Sequence, residues 1–144
     1  MPNALQHLAL LLEDLGPATP GVACVTRNGD GVWLVRFDDG GAVHLAVRDD
    51  APRLELAAEV GLLAQHDAEF ALRAAMMFNF LSADTGGARM ALAADDTVYL
   101  MRDVPLEAIT LADLQAHIAE LDNIAHEWDL VFTQVASTTA GETA

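Results

Sequence analysis

The chain is arranged around residues 69–81, which read EFALRAAMMFNFL. This composition is rich in Ala, Leu and Met and favours an α-helix. At about 100° per residue, Phe70 and Met77 fall on one helical face, and Leu72 and Met76 fall on the opposite face. A helix that is apolar all round has to be covered all round. One small core usually covers only one side, so the segment predicts self-association, with burial inside a single subunit as the alternative.

Composition narrows the classes of function. The chain has 144 residues, 53% of them hydrophobic, which is enough for one domain with a core. A formal charge of −15 disfavours nucleic acid as a partner, because binding requires cations against phosphates. No apolar run approaches the ~18 residues of a membrane span, so we expect no membrane insertion. The single Cys24 cannot form an internal disulfide, which fits a cytoplasmic protein.

The first half of the chain predicts one helix followed by an antiparallel meander. A leucine stripe with helical spacing predicts a helix over Asn3–Leu15, which Gly16 and Pro17 end. The connection from Gly16 to Gly31 is interpreted as a loop, with one short edge strand as the alternative. Apolar and polar side chains then alternate in three predicted strands, Val32–Phe37, Ala42–Arg48 and Arg53–Gly61, joined by turns at Asp38–Gly41 and Asp49–Pro52.

The second half predicts a hairpin and a long helix. The hairpin strands are Ala88–Ala93 and Thr97–Val104. Thr110 can cap a helix that reaches Val135, because apolar residues recur there at alternating steps of three and four. Residues 137–144 are expected to be a disordered tail. Residues 1–136 therefore predict one α+β domain with the order α-β-β-β-α-β-β-α and three helices on an antiparallel twisted sheet.

The sequence contains no recognised catalytic, cofactor or metal motif. On a helix, His117 lies one turn after Asp113, and His126 lies one turn after Asp122. A zinc site requires three or four convergent ligands, so solvated ion pairs are the simpler interpretation of these residues. A small enzyme or metal protein that uses the four residues is the alternative. We expect that the protein is not an enzyme and that it binds no cofactor and no metal.

The chain has more apolar side chains than one sheet face needs. In the first predicted strand, Trp33 and Val35 fall on one face and Val32 and Leu34 fall on the other. Excess apolar surface on a soluble acidic protein marks a partner site. The alternative is that the three helices cover both faces of the sheet internally.

Several stretches resemble, in this order, the class I type III secretion chaperones, the group that includes the Tir chaperone. A leucine-rich opening helix ends in Leu-Gly, the central helix ends in an aliphatic run before Asn, and the last helix contains Ala-x-x-Trp. The stretches that carry the resemblance are Leu5–Gly16, Leu54–Gly61, Ala75–Phe80, Gly87–Leu92, Val98–Leu100, Val104–Leu106 and Ala125–Trp128.

The resemblance implies a cytoplasmic homodimer without catalysis or cofactor. Such a protein would bind the N-terminal region of a secreted effector, keep it extended and support its delivery to the secretion apparatus, with the secretion ATPase as a further candidate partner. The dimer contacts would come from Leu72, Met76, Phe80, Met90 and Leu92. The effector contacts would come from Leu8, Leu11, Leu12, Leu34 and Val43. The alternative function is a regulatory domain of the same fold that binds a folded partner.

Overall fold

The computed structural model describes residues 3–48, 53–63, 67–81 and 83–142, with side chains from Leu5 to Thr133 within those ranges. The predicted turn Asp49–Pro52 and His66 lie outside the described residues. The elements are α1 (Asn3–Ala18), β1 (Val22–Gly29), β2 (Val32–Phe37), β3 (Ala42–Arg48), β4 (Arg53–Leu62), α2 (Ala68–Phe80), β5 (Arg89–Leu92), β6 (Thr97–Pro105) and α3 (Leu111–Glu142).

All six strands belong to one antiparallel sheet with the order β1-β2-β3-β4-β6-β5. The first four strands follow one another as a meander, and α2 connects β4 to the hairpin of β5 and β6. Leu45 pairs with Leu56, which in turn pairs with Arg102, so the register is continuous across the centre. The prediction of an α+β fold with three helices and an antiparallel sheet is confirmed.

The edge strand β1 is longer than the sequence indicates. It spans eight residues where we predict a loop with at most a short strand. Val25 pairs with Val35 in the middle of β1, but register shifts occur near both ends of the strand. Most of its side chains are also exposed, so neither burial nor a regular alternation marks it in the sequence.

The two faces of the sheet differ sharply in polarity. In β4, Leu54, Leu56 and Ala58 are fully buried, whereas Glu59 on the other face is exposed. This is the predicted alternation of a sheet with one wet face.

The three helices pack on the apolar face. There, Gly16 of α1 contacts Val25, Glu120 of α3 pairs with Arg102 at 3.4 Å, and α2 lies beside Met90. The three helices therefore leave the wet face of the sheet uncovered within the described residues.

Two helix ends differ from the predictions. α1 continues to Ala18 and contains Pro17, because the fixed φ of proline is helical and only a bond of the last turn is lost. At the start of α3, the Asp113 N–H donates to the Thr110 hydroxyl at 3.1 Å, which confirms the predicted cap. The Asp113 carboxylate in turn accepts from the Thr110 N–H at 3.1 Å. The backbone of α3 is helical as far as Glu142, beyond the start of the predicted tail.

None of the described helices is long and apolar enough to cross a membrane.

Candidate protein-interaction surfaces

The outer side of α2 is a row of exposed apolar side chains. Leu72, Met76 and Phe80 follow one another at helical spacing and are 43%, 71% and 88% exposed. Leu92 at the end of β5 is 48% exposed. We call these four residues the α2 surface; all four belong to the predicted dimer set. The fifth predicted residue, Met90, is buried and offers no surface of its own.

A narrow apolar groove separates α2 from β5. Its cavity has a volume of about 120 Å³. Nine of the ten lining residues are apolar: Leu63, Ala71, Leu72, Ala75, Met76, Met90, Ala91, Leu92 and Val98, with Asn79 as the tenth. The groove continues the α2 surface, so both can be covered by one partner.

Asn79 attaches α2 to the edge strand β5. Its side-chain amide donates to the carbonyl of Met90 at 3.0 Å and accepts from the Met90 N–H at 2.6 Å. The amide therefore takes the place of a neighbouring strand at this point of the edge. This contact holds the α2 surface in position and removes two free hydrogen-bonding groups from the edge.

We expect Asn79→Leu to lower the free energy of unfolding by about 1–3 kcal/mol, because it leaves the Met90 N–H and C=O without their partner. Urea denaturation measures the change. Asn123→Leu, the same substitution at an exposed position of α3, is the control and should change stability little. Equal effects of the two variants would contradict the role of Asn79.

A second surface of mixed polarity lies between α1 and the edge strand β1. It consists of two adjoining cavities of about 190 Å³ and 350 Å³, which share Leu12, Glu13 and Val25. We call this surface the α1–β1 groove. Its remaining lining residues are Ala9, Gly16, Pro17, Val22, Ala23, Cys24, Arg27 and Trp33.

Charged groups stand at the α1–β1 groove. Glu13 is exposed on α1, and the Arg27 guanidinium lies over the Trp33 ring, 5.1 Å from its centroid. Along the other edge of β1, no strand of the described residues is paired, since β1 ends the sheet. An extended segment could therefore add main-chain hydrogen bonds to β1 and place apolar side chains in the groove.

The residues predicted to contact an effector are mostly internal. Leu8 and Val43 are fully buried, Leu12 is 2% exposed and Leu34 is 8% exposed, while Leu11 is partly buried. Leu8 and Leu12 form the apolar stripe of α1 and pack onto the sheet. Burial removes Leu8, Leu34 and Val43 from the surface that the folded chain offers, whereas Leu12, at 2% exposed, still lines the α1–β1 groove.

The groove residues that sequence reasoning missed come mainly from β1. Val22, Val25 and Arg27 lie in the segment predicted as a loop, so no face could be assigned to them. The sequence does place Trp33 in a predicted strand, Val32–Phe37. Its place beside β1 depends on the pairing of Arg27 with Trp33, which no local pattern indicates.

A fourth cavity, of about 290 Å³, has an acidic lining. Its titratable lining residues are Asp39, Glu59, Asp122, His126 and Asp129. Asp122 is 7% exposed. Burial, the charge of Asp39 and a hydrogen bond with Asp39 raise the pKa of Asp122 to about 6, and His126 acts in the opposite direction.

We expect Asp122→Asn to stabilise the protein at neutral pH. The folded-state pKa of about 6 lies above the ordinary 3.8, so unfolding releases a proton between these values and stability falls as pH rises through them. The free energy of unfolding of the variant should exceed that of the wild type by about 1–3 kcal/mol at pH 7.5. This difference should be about 1 kcal/mol smaller at pH 5. Denaturation at both pH values measures the gain, with the exposed Glu127→Gln as control. A gain at pH 5 as large as at pH 7.5 would contradict this account.

The histidine–aspartate pairs do not gather further ligands. Two bonds with Thr110 and the nearby His117 lower the pKa of Asp113. Asp122 lies next to Asp39, whose charge raises the pKa of Asp122. In the part of the chain that the structure describes, no group of three or more His, Cys, Asp or Glu side chains is arranged to hold a metal ion.

Comparison with protein-family models finds a match over most of the chain. Residues 11–129 match the Tir chaperone protein (CesT) family. The chain belongs to this family. The resemblance to type III secretion chaperones is thereby confirmed, and the Tir chaperone family is of a non-enzymatic kind. No curated protein sequence matches this family member significantly.

Solved structures share the fold of this Tir chaperone family member. The ExsC–ExsE complex contains a chain with a TM-score of 0.77 and 19% identity, over 89% of this chain and 95% of that one. The HopA1–SchA chaperone–effector complex contains a chain with a TM-score of 0.64 and 17% sequence identity, over 93% of this chain and 98% of that chain. The structure of the Yersinia pestis type III secretion chaperone SycH in complex with a fragment of YscM2 gives a TM-score of 0.58 and 24% sequence identity. The match covers 81% of this chain and 94% of that chain.

Proposed function

We propose that this chain is a cytoplasmic type III secretion chaperone that acts as a homodimer. It binds the N-terminal chaperone-binding segment of a secreted effector, keeps that segment extended and supports its delivery to the secretion apparatus, with the secretion ATPase as a candidate receiver. The observation that carries the proposal is the free edge of β1 beside the α1–β1 groove. An edge strand next to a groove lined by both apolar and charged side chains suits an extended segment better than a folded surface.

The α2 surface supports a second copy of the chain as its partner. Burying each of its large side chains stabilises an assembly by up to roughly 1.5–3 kcal/mol. Glu69 and Arg73 are the only charged residues in α2, and they pair at 3.5 Å. Two copies of a protein with charge −15 can therefore meet along α2 without bringing a net charge together.

The experiment that tests the function is recovery of the client from the native cell. We expect the tagged chain to co-purify with one secreted protein in a defined ratio, and limited proteolysis of the complex should protect a segment near the N-terminus of that protein. Protection of a whole folded domain would favour the alternative, a regulatory domain that binds a folded partner. Absence of any client under secretion-inducing conditions would contradict the proposal.

A further inference from the structure

The turn between β2 and β3, residues 38–41, connects three parts of the molecule. Its Gly41 N–H donates to Asp39 Oδ1 at 2.8 Å, which closes the turn on itself. The Asp38 N–H donates to the carbonyl of Gly21 at 2.8 Å, directly before β1. On its other side the turn contacts α3 through Asp122. The turn therefore joins α3 to the start of β1.

Gly41 makes room for two carboxyl groups at this contact. A Cβ at position 41 would overlap Asp122 Oδ1 and would lie 3.0 Å from Asp39 Oδ1. Both oxygens therefore approach the same point on the glycine backbone, and Asp122 is buried there, so the two carboxyl groups are neighbours. A hydrogen bond between two neighbouring carboxyl groups requires a proton on one of them, because two ionised carboxylates only accept.

We propose that Asp39 and Asp122 form a proton-dependent clasp between the β2–β3 turn and α3, closed when they share a proton and open when both are ionised. The closed state holds the turn by a carboxyl–carboxylate hydrogen bond across the cavity wall. In the open state the two like charges repel each other and the turn moves away from α3.

The groups around the clasp act in both directions. Glu59 from β4 and Asp129 from α3 line the same cavity, and their negative charges favour the closed, protonated state. His126 from α3 lines the cavity too and favours the ionised state when it is charged. His44 lies 3.2 Å from Glu59 and, when it is charged, reduces the effect of that carboxylate. Asp38 is exposed in the turn itself. The pKa of about 6 for the buried carboxyl places opening just below neutral pH.

Release of the turn has a defined structural consequence. The Asp38–Gly21 bond transmits the position of the turn to the start of β1, where Val22 pairs with Phe37. Val22 lines the α1–β1 groove. Opening of the clasp therefore loosens one end of that groove, whatever partner the groove binds.

Hydrogen exchange of backbone amides tests the clasp. The Asp38 amide, bonded to Gly21, and the Phe37 amide, bonded to Gly41 at 2.9 Å, report on the turn. After correction for intrinsic rates, we expect their protection in the wild type to fall on the order of 10- to 100-fold between pH 5 and pH 8, since one pKa unit corresponds to a factor of ten. In Asp122→Asn, which cannot ionise, protection should be independent of pH.

Two further variants make the result decisive. Asp39→Asn removes the other half of the like-charge pair and should also abolish the pH dependence, so the test survives if one variant fails to fold. Glu127→Gln, an exposed carboxylate of α3, should keep the wild-type transition. Wild-type protection that does not change with pH, or an unchanged transition in both asparagine variants, would overturn the proposal.

Discussion

Met76→Asp is expected to convert the protein from a dimer into monomers. Met76 is 71% exposed in the centre of the α2 surface, between Leu72 and Phe80. In the proposed dimer its side chain is buried among apolar groups, so an aspartate there would be an unpaired buried charge, which costs about 3–5 kcal/mol. The dissociation constant should therefore rise on the order of 100- to 1,000-fold. Light scattering after gel filtration at micromolar concentration measures the mass directly.

The matched control for this variant is Leu10→Asp. Leu10 is a similarly exposed apolar side chain, 61% exposed, but it lies on α1 and outside the α2 surface. The Leu10→Asp substitution introduces the same charge and should leave the dimer intact. Phe80→Asp, 88% exposed in the wild type, should behave like Met76→Asp. If Met76→Asp and Phe80→Asp both remain dimers, or if the wild type is a stable monomer, the assignment of the α2 surface is wrong.

Val25→Asp is expected to abolish client binding while the protein stays dimeric. Val25 lies in the middle of β1, is partly buried and lines both cavities of the α1–β1 groove. A carboxylate there would be covered by the apolar side chains of an added strand, and truncation or charging of such a central residue typically costs 2 kcal/mol or more. We expect affinity for the co-purified effector segment to fall by a factor of roughly 30 or more.

The neighbouring residue supplies the control. Thr26 follows Val25 in the same strand, and its side chain is exposed on the opposite face of the sheet. Thr26→Asp therefore adds the same charge to β1 without entering the groove. Calorimetry with the client segment compares the two, and light scattering confirms that both remain dimers. Equal losses of affinity in the two variants, or none in Val25→Asp, would contradict the groove as the binding site.

Strongly periodic segments were predictable from sequence. The bounds of β2 and β3 match the predictions residue for residue, because alternation and a Gly-rich turn are local properties. The exposed row on α2 was predictable for a similar reason, since no arrangement of one small core covers every side of an apolar helix. The reciprocal cap of Thr110 and Asp113 depends on residues three apart.

Residues far apart in the chain produced the features that were missed. β1 becomes a strand by pairing with β2, and register shifts hide its alternation. The buried state of Val43 depends on the helices that pack over its face of the sheet, so strand alternation separates the two faces without telling which one is outside. Asp122 and Asp39 are more than eighty positions apart, and burial next to Asp39 raises the pKa of Asp122.

Local side-chain spacing thus determined which segments are helices and strands, and that the central helix has more apolar sides than one subunit covers. Only the folded chain decided which of these side chains reach the surface, because burial depends on packing between distant elements. The same packing brought α1 beside the free edge of β1, and so created a groove whose residues are unrelated in sequence.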